Sequence, residues 1–169
     1  MDAQLARGAQ PIDPAPVLYQ VVDSMMVLAQ HKGLQVQVDV PPHLPLVRAS
    51  PELLTTAVRN LLDNAIKFTP PGGSVRLSAR AVGGQVEIAV SDTGVGISPE
   101  ELPHIFQRFR RGRRGTGEGG SGAGLGLALV KAIAEGYGGQ IKVESRLGEG
   151  STFVLALPCA EASQGTSGA

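Results

Sequence analysis

The chain has 169 residues, of which 42% are hydrophobic, and its 15 basic and 15 acidic side chains cancel to a formal net charge of zero. This length and composition fit one globular domain, and the charge balance gives no reason to expect a nucleic-acid partner or membrane contact by this domain. The single cysteine, Cys159, excludes an internal disulfide and a zinc site built from cysteines. No stretch approaches the roughly 20 apolar residues that span a membrane, so we expect a cytoplasmic location.

Hydrophobic periodicity sets the expected order of secondary structure, because apolar residues recur every three to four positions in helices and at alternate positions in half-buried strands. The sequence predicts helices near 17–29, 50–68, 98–106 and 125–137, and strands near 34–40, 46–49, 74–82, 85–90, 140–145 and 151–157. Ser50 and Pro51 suit the N-cap and first position of the second helix. The order indicates an α+β fold, a two-layer α/β sandwich with three main helices on one face of a mixed, mostly antiparallel sheet of about five strands.

Composition sets the expected domain limits. Residues 1–13 are a proline-bearing entry segment, residues 14–158 form the domain, and residues 159–169 are small and polar, as in a disordered tail. Within the domain, residues 108–123 combine arginines with many glycines. Because glycine costs the most entropy to order, we expect this loop to hold a single shape only when a ligand closes it.

One face of the second predicted helix is polar. Asn60, Asn64 and Lys67 lie at i, i+4 and i+7, on a different face from the apolar residues. The amide oxygen of Asn64 is a hard neutral ligand that suits one position of octahedral Mg²⁺, and Lys67 can reach phosphate oxygens. The same spacing is also typical of a solvated helix face, so the pattern alone leaves both interpretations open.

Asp92 follows a predicted strand and precedes two glycines, Gly94 and Gly96. A carboxylate at a strand end can accept a hydrogen bond from the exocyclic amino group of adenine, whereas guanine presents a carbonyl at that position. Glycines would let a base approach the backbone closely. An Asp-Thr-Gly sequence is also typical of an ordinary turn, which is the competing interpretation.

A second glycine-rich stretch lies where the last helix is expected to begin. Gly122, Gly124 and Gly126 would present free N–H groups at the positive end of the helix dipole, which is a phosphate-binding arrangement. No lysine follows a glycine, so the chain has no P-loop. The arginines between Phe109 and this stretch fit a solvated charge run, an RNA-type patch or phosphate contacts.

Four segments in a fixed order carry a family resemblance: residues 60–69 (NLLDNAIKFT), 92–96 (DTGVG), 106–109 (FQRF) and 122–127 (GAGLGL). They resemble the N, G1, F and G2 boxes of the catalytic ATP-binding domain of two-component sensor histidine kinases, and the resemblance extends over about residues 18–158. It implies a Bergerat fold of the GHKL type, with ATP and Mg²⁺ as cofactors. It also implies transfer of the γ-phosphate to a histidine on a dimerisation domain outside this chain, with a response regulator downstream.

The resemblance also assigns residues to roles. Asn64 is the implied metal ligand, and Asn60, Lys67 and Arg111 are the implied catalytic residues, with Arg111 on a lid formed by about residues 108–123. The implied nucleotide-binding residues are Asn64, Lys67, Phe68, Asp92, Gly94, Gly96, Ile97, Phe109, Gly122, Gly124, Leu125, Gly126, Leu127 and Thr152.

The identity of residue 60 bears on whether the site transfers the γ-phosphate of ATP or hydrolyses it. ATPases of the wider superfamily, such as DNA gyrase and the heat-shock chaperones, place a water-activating glutamate one turn before the magnesium ligand, where this chain has Asn60. The site is therefore expected to hold ATP for transfer rather than to hydrolyse it. Two alternatives remain open: a stand-alone serine kinase of the anti-sigma type, and a nucleotide-sensing binding module without transferase activity.

Overall fold

The computed structural model describes residues 8–107 and 125–160. Within these residues the chain forms, in order, β1 (Gln10–Ile12), α1 (Pro14–His31), β2 (Gln35–Asp39), β3 (Val47–Ala49), α2 (Pro51–Lys67), β4 (Ser74–Val82), β5 (Gln85–Asp92), a 3₁₀ turn (Leu102–His104), α3 (Leu125–Gly136), β6 (Gln140–Arg146) and β7 (Gly150–Pro158). Of the helices in this described part, none is long and apolar enough to cross a membrane.

Five of these strands form one sheet in the order β2-β4-β5-β7-β6. β2 and β4 are parallel, and the other neighbouring pairs are antiparallel. Buried residues alternate along β4 and β5, so one face of the sheet lies in the core. The helices α1, α2 and α3 all contact this sheet, which confirms the expected α+β sandwich.

The core between the helices and the sheet is apolar. Leu61 of α2, Ile133 of α3 and Phe153 of β7 are each at most 1% exposed. The ring of Phe106 packs edge-to-face on that of Phe153, with 6.3 Å between the ring centroids. The segment that follows the 3₁₀ turn is thereby anchored in the core.

Two short elements differ from the sequence-based prediction. The helix predicted over 98–106 is wrong, because only Leu102–His104 forms a helical turn, and it is of the 3₁₀ type. Pro103 explains the difference, since a proline inside the segment has no N–H to continue an α-helix and its ring clashes with the preceding turn. β1 is not predicted by the sequence; its three residues pair antiparallel with β3 and are too few to show a period.

Lys32, just after α1, is bound to the end of α2. Its Nζ donates hydrogen bonds to the carbonyls of Ile66, at 2.7 Å, and Lys67, at 2.8 Å. Carbonyls in the last turn have no partner within their own helix and carry the negative end of the helix dipole. Lys32 therefore caps the helix that carries Asn60 and Asn64.

We predict that Lys32→Met lowers the free energy of unfolding by about 1–2 kcal/mol, because two charge-assisted hydrogen bonds are lost at a partly solvent-screened site. Urea denaturation of the purified chain measures this. Lys131→Met is the matched control, since Lys131 makes only a 4.0 Å contact with Glu135 between half-exposed side chains, which is worth less than about 0.5 kcal/mol. Equal effects of the two substitutions would contradict a capping role for Lys32.

Candidate functional site

The polar face of α2 contains one amide that is tied into the helix and one that is not. The Asn60 Nδ2 donates to the Thr56 carbonyl at 2.8 Å. The Asn64 Nδ2 is buried and has no hydrogen-bond partner among residues 8–107 and 125–160. One turn further on, the Lys67 Nζ lies 3.4 Å from the Asp63 carboxylate, and both side chains are more than one-third exposed. Of these three side chains, Asn64 is therefore the one with a buried polar atom, its Nδ2, that has no hydrogen-bond partner within the described residues.

The start of α3 lies against this polar face. A Cβ on Gly126 would lie 2.8 Å from the Asn60 Oδ1, so the absence of a side chain lets the backbone of α3 approach α2. At the opposite end of α3, the Tyr137 hydroxyl accepts a hydrogen bond from the Ser50 N–H at 2.9 Å. Leu127, in the first turn, is half-buried against the core. The two helices thus run antiparallel, with the start of α3 beside Asn60.

Asp92 is the last residue of β5, two residues beyond the predicted strand end, and it is only 7% exposed. Its Oδ1 accepts hydrogen bonds from the Gly94 N–H at 2.9 Å and the Ser151 N–H at 3.3 Å. Neither contact uses Oδ2. The carboxylate is therefore held in one orientation by backbone groups on the following loop and on β7.

Gly94 and Gly96 bring the loop after Asp92 against other parts of the backbone. The position that a Cβ would take at Gly94 is occupied by the Phe68 carbonyl, which accepts a hydrogen bond from the Val95 N–H at 3.1 Å. Gly96 has φ +74°, and its Cβ position is occupied by the Arg146 carbonyl. Both glycines are thus explained by close contact with the protein backbone, which docks the loop onto the end of α2 and onto β6.

The structure places the hydroxyl of Ser151, rather than that of Thr152, on the Asp92 side of the sheet. Thr152 pairs with Ser91 across the sheet, and their hydroxyl oxygens are 3.0 Å apart. Successive side chains on a strand point to opposite faces, so Thr152 and Asp92 face opposite ways. Ser151 is the direct cross-strand partner of Asp92 and is 3% exposed. Sequence reasoning missed Ser151, because the face depends on the strand register.

A cleft of about 640 Å³ adjoins Asp92. Its volume lies within the range of about 300–1,000 Å³ that is typical of small-molecule sites. Asp92, Leu102 and Thr152 line it together with residues of the β6–β7 hairpin. Thr152 therefore borders the same cleft as Asp92, although its hydroxyl contacts Ser91.

The remaining candidate residues divide into described and undescribed ones. Phe68 is half-buried at the C-cap of α2, and Ile97 is 1% exposed, with its N–H donating to the Ser145 Oγ at 2.8 Å. Leu125 begins α3. Four candidates lie outside the described residues: Phe109, Arg111, Gly122 and Gly124.

Comparison with known proteins identifies the family of this chain. Residues 49–161 match the family model of the histidine kinase-, DNA gyrase B-, and HSP90-like ATPases. The sensor-like histidine kinase SenX3 of Mycobacterium tuberculosis is 40% identical over 147 residues, which are 87% of this chain and 36% of that protein. The chain thus spans about a third of the length of the curated relatives it matches.

Solved structures give the same result. The mycobacterial sensor histidine kinase MprB superimposes with a TM-score of 0.79 at 30% identity, covering 89% of this chain and 98% of that one. Full-length ShkA in complex with AMPPNP superimposes with a TM-score of 0.78 at 35% identity, covering 90% of this chain and 31% of that one.

The five-stranded mixed sheet with three helices against it, and the loop after Asp92 bonded to the end of α2 through the Val95 N–H and the Phe68 carbonyl, form an α+β domain. The chain belongs to the histidine kinase-, DNA gyrase B-, and HSP90-like ATPase family. Within it, the chain is the catalytic domain of a sensor histidine kinase.

We predict that Gly94→Ala lowers the free energy of unfolding by about 2–3 kcal/mol, because the new methyl group meets the Phe68 carbonyl and forces the loop away from α2. Gly84→Ala is the control: Gly84 has φ +80° and open space around its Cβ position, so only the backbone cost of about 1 kcal/mol applies. Chemical denaturation of both variants measures the difference. A smaller loss for Gly94→Ala than for Gly84→Ala would contradict the close packing of this loop.

Proposed function

We propose that this chain binds Mg²⁺ and ATP between α2 and the end of β5, and that it donates the γ-phosphate to a histidine on a dimerisation domain of the same sensor protein. A response regulator then receives the phosphoryl group. The observation that carries the proposal joins two side chains: Asn64 lies on α2 with an Nδ2 that has no partner within the described residues, and the buried Asp92 ends β5 with its carboxylate held by backbone N–H groups. The loop after Asp92 is bonded to the C-cap of α2 through the Val95 N–H and the Phe68 carbonyl. Because the reaction consumes ATP, we place the domain in the cytoplasm.

Asp92 selects the base in this proposal. A carboxylate accepts hydrogen bonds and donates none when ionised, so it favours the amino group of adenine over the carbonyl of guanine. The two backbone N–H groups on its Oδ1 fix the carboxylate before the base arrives. Preorganisation of this kind reduces the cost of ordering the site on binding.

Asn64 holds the metal in this proposal. Rotation of an amide exchanges its nitrogen and oxygen, so a buried position that has no partner within the described residues suits a ligand oxygen. When bound, Mg²⁺ neutralises charge on the phosphates. Lys67 is exposed enough to turn from Asp63 toward phosphate oxygens. The start of α3 lies beside Asn60 at Gly126, and the N–H groups of a helix start can bind phosphate.

The other assignments complete the proposed site. By the family resemblance we assign Arg111 to the γ-phosphate, and Gly122 and Gly124 to phosphate binding. By the family resemblance we assign Phe68, Ile97, Phe109, Leu125 and Leu127 to the pocket walls, and Gly94 and Gly96 to the loop beside the base. Thr152 borders the cleft beside Asp92, and we add Ser151 because its N–H fixes the Asp92 carboxylate.

Asn60 favours transfer over hydrolysis. An amide does not take up a proton near neutral pH and therefore cannot act as a general base toward water. Its Nδ2 is already bonded to the Thr56 carbonyl. Phosphoryl transfer depends mainly on positioning and charge neutralisation, which this site supplies without such a base.

We predict that Asp92→Asn weakens binding of a non-hydrolysable ATP analogue about 10- to 100-fold, because a charge-assisted hydrogen bond to the adenine amino group is lost. The asparagine keeps an oxygen for the Gly94 and Ser151 N–H groups, so the loop remains supported. Isothermal titration calorimetry measures the affinity. Asp39→Asn is the charge-matched control, since Asp39 is 66% exposed and pairs with Arg76; unchanged affinity in both variants would refute the assigned base pocket.

We predict that the chain phosphorylates a histidine-bearing dimerisation domain from its own sensor protein in the presence of labelled ATP and Mg²⁺. Asn64→Ala should reduce this transfer at least about tenfold and remove the Mg²⁺ dependence of analogue binding, because a ligand to the metal is lost. Its unfolding free energy should change by less than about 1 kcal/mol, since no hydrogen bond from the Asn64 Nδ2 within the described residues is broken. Transfer to a serine of a partner protein, or no transfer at all, would count against a histidine kinase.

A further inference from the structure

Ser145 on β6 makes three hydrogen bonds with its single hydroxyl group. The Oγ accepts from the Ile97 N–H at 2.8 Å, donates to the Gly150 carbonyl at 3.0 Å and lies 2.8 Å from the Ser151 Oγ. A serine hydroxyl has one donor and two acceptor positions. If the Ser151 hydroxyl is the donor in the third contact, all three positions of the Ser145 hydroxyl are used and its orientation is fixed by these three partners.

The three partners of Ser145 belong to the two backbone segments that fix Asp92. Ser151 donates its N–H to the Asp92 Oδ1 at 3.3 Å. Gly150 has φ +125°, and the space for a Cβ there is occupied by the Asp92 carbonyl. Ile97 ends the glycine loop that begins at Asp92. Ser145 therefore joins the loop on one side of the carboxylate to the strand on the other.

A second contact joins the loop after Asp92 to the turn of the β6–β7 hairpin. The Gly148 N–H donates to the Val95 carbonyl at 2.7 Å. Gly148 lies in the turn between β6 and β7. The β6–β7 hairpin therefore contacts the loop twice, through the backbone of Gly148 and through the side chain of Ser145. Of these two links, the side-chain link can be removed by a single substitution without altering the turn.

We propose that Ser145 is a positioning residue for base selection: it sets the orientation of the Asp92 carboxylate relative to the glycine loop without touching the nucleotide. The proposal depends on the proposed function, in which Asp92 recognises adenine. Recognition by a single hydrogen bond requires its acceptor to be held within about 0.5 Å of the productive position. Loss of the Ser145 hydroxyl leaves the Ile97 N–H, the Gly150 carbonyl and the Ser151 hydroxyl each with one contact fewer, and the two segments can then shift relative to each other.

The test compares the affinities of non-hydrolysable ATP and GTP analogues for the wild-type chain, Ser145→Ala and Ser145→Thr by calorimetry. Ser145→Ala should bind the ATP analogue about three- to tenfold more weakly, and its preference for ATP over GTP should fall by a similar factor. Ser145→Thr keeps the hydroxyl and should retain most of the preference. A purely structural role would lower the melting temperature of Ser145→Ala but leave the ratio of the two affinities unchanged.

Ser91→Ala is the matched control. Ser91 adjoins Asp92 in β5, and its hydroxyl makes a comparable 3.0 Å contact with Thr152, but on the opposite face of the sheet. It should lose stability without losing base preference. If Ser145→Ala does not fold, Ser145→Cys replaces it, because a thiol is only a weak donor and acceptor and should give a reduced preference.

The outcomes separate the two proposals. A wild-type preference for ATP that Asp92→Asn abolishes, with full preference in Ser145→Ala or Ser145→Cys, overturns the role of Ser145 and leaves the proposed function in place. Equal binding of both analogues by the wild type, or no effect of Asp92→Asn, overturns the base-selection step and the Ser145 proposal together.

Discussion

The hydrogen bond from the Val95 N–H to the Phe68 carbonyl, 3.1 Å long, joins the two halves of the candidate site. The amides and the lysine come from α2, whereas the carboxylate comes from β5. The contact is possible because Gly94 has no Cβ, so the loop lies directly against the helix end. Lys32 binds the two preceding carbonyls of the same helix end. The position of Asn64 relative to Asp92 therefore depends on a short stretch of backbone at the end of α2.

Two polar side chains at this site differ in how the protein satisfies them. The Asp92 Oδ1 receives two backbone N–H groups, whereas the Asn64 Nδ2 has no partner within the described part of the chain. A buried polar group without a partner costs about 1–3 kcal/mol, so folded proteins contain few of them. In the proposed function, the Asp92 carboxylate, held by two backbone N–H groups, is the preorganised part of the site, and the Asn64 amide is the part that a ligand would complete.

Local rules predicted the long elements well. Ser50 caps α2 as expected, with its side chain accepting from the Leu53 N–H at 3.3 Å, and β4 and β5 are joined by the expected two-residue turn. The sequence-based predictions were wrong or incomplete where two local signals compete or where an element is too short to show a period. The 98–106 helix was predicted from its start signal, but Pro103 limits the segment to one 3₁₀ turn. β1 has only three residues and forms because β3 offers a partner.

By itself, the sequence determined the order and type of the main elements and the presence of four motif segments, because periodicity, helix caps and glycine turns are local properties of the chain. Only the tertiary structure decided which side chains meet. It placed Ser151 rather than Thr152 on the face of Asp92, and it brought Ser145 into contact with both segments around that carboxylate. The physical reason is strand register: Asp92 and Ser151 are 59 residues apart, and a shift of one residue in their pairing would turn every side chain to the other face.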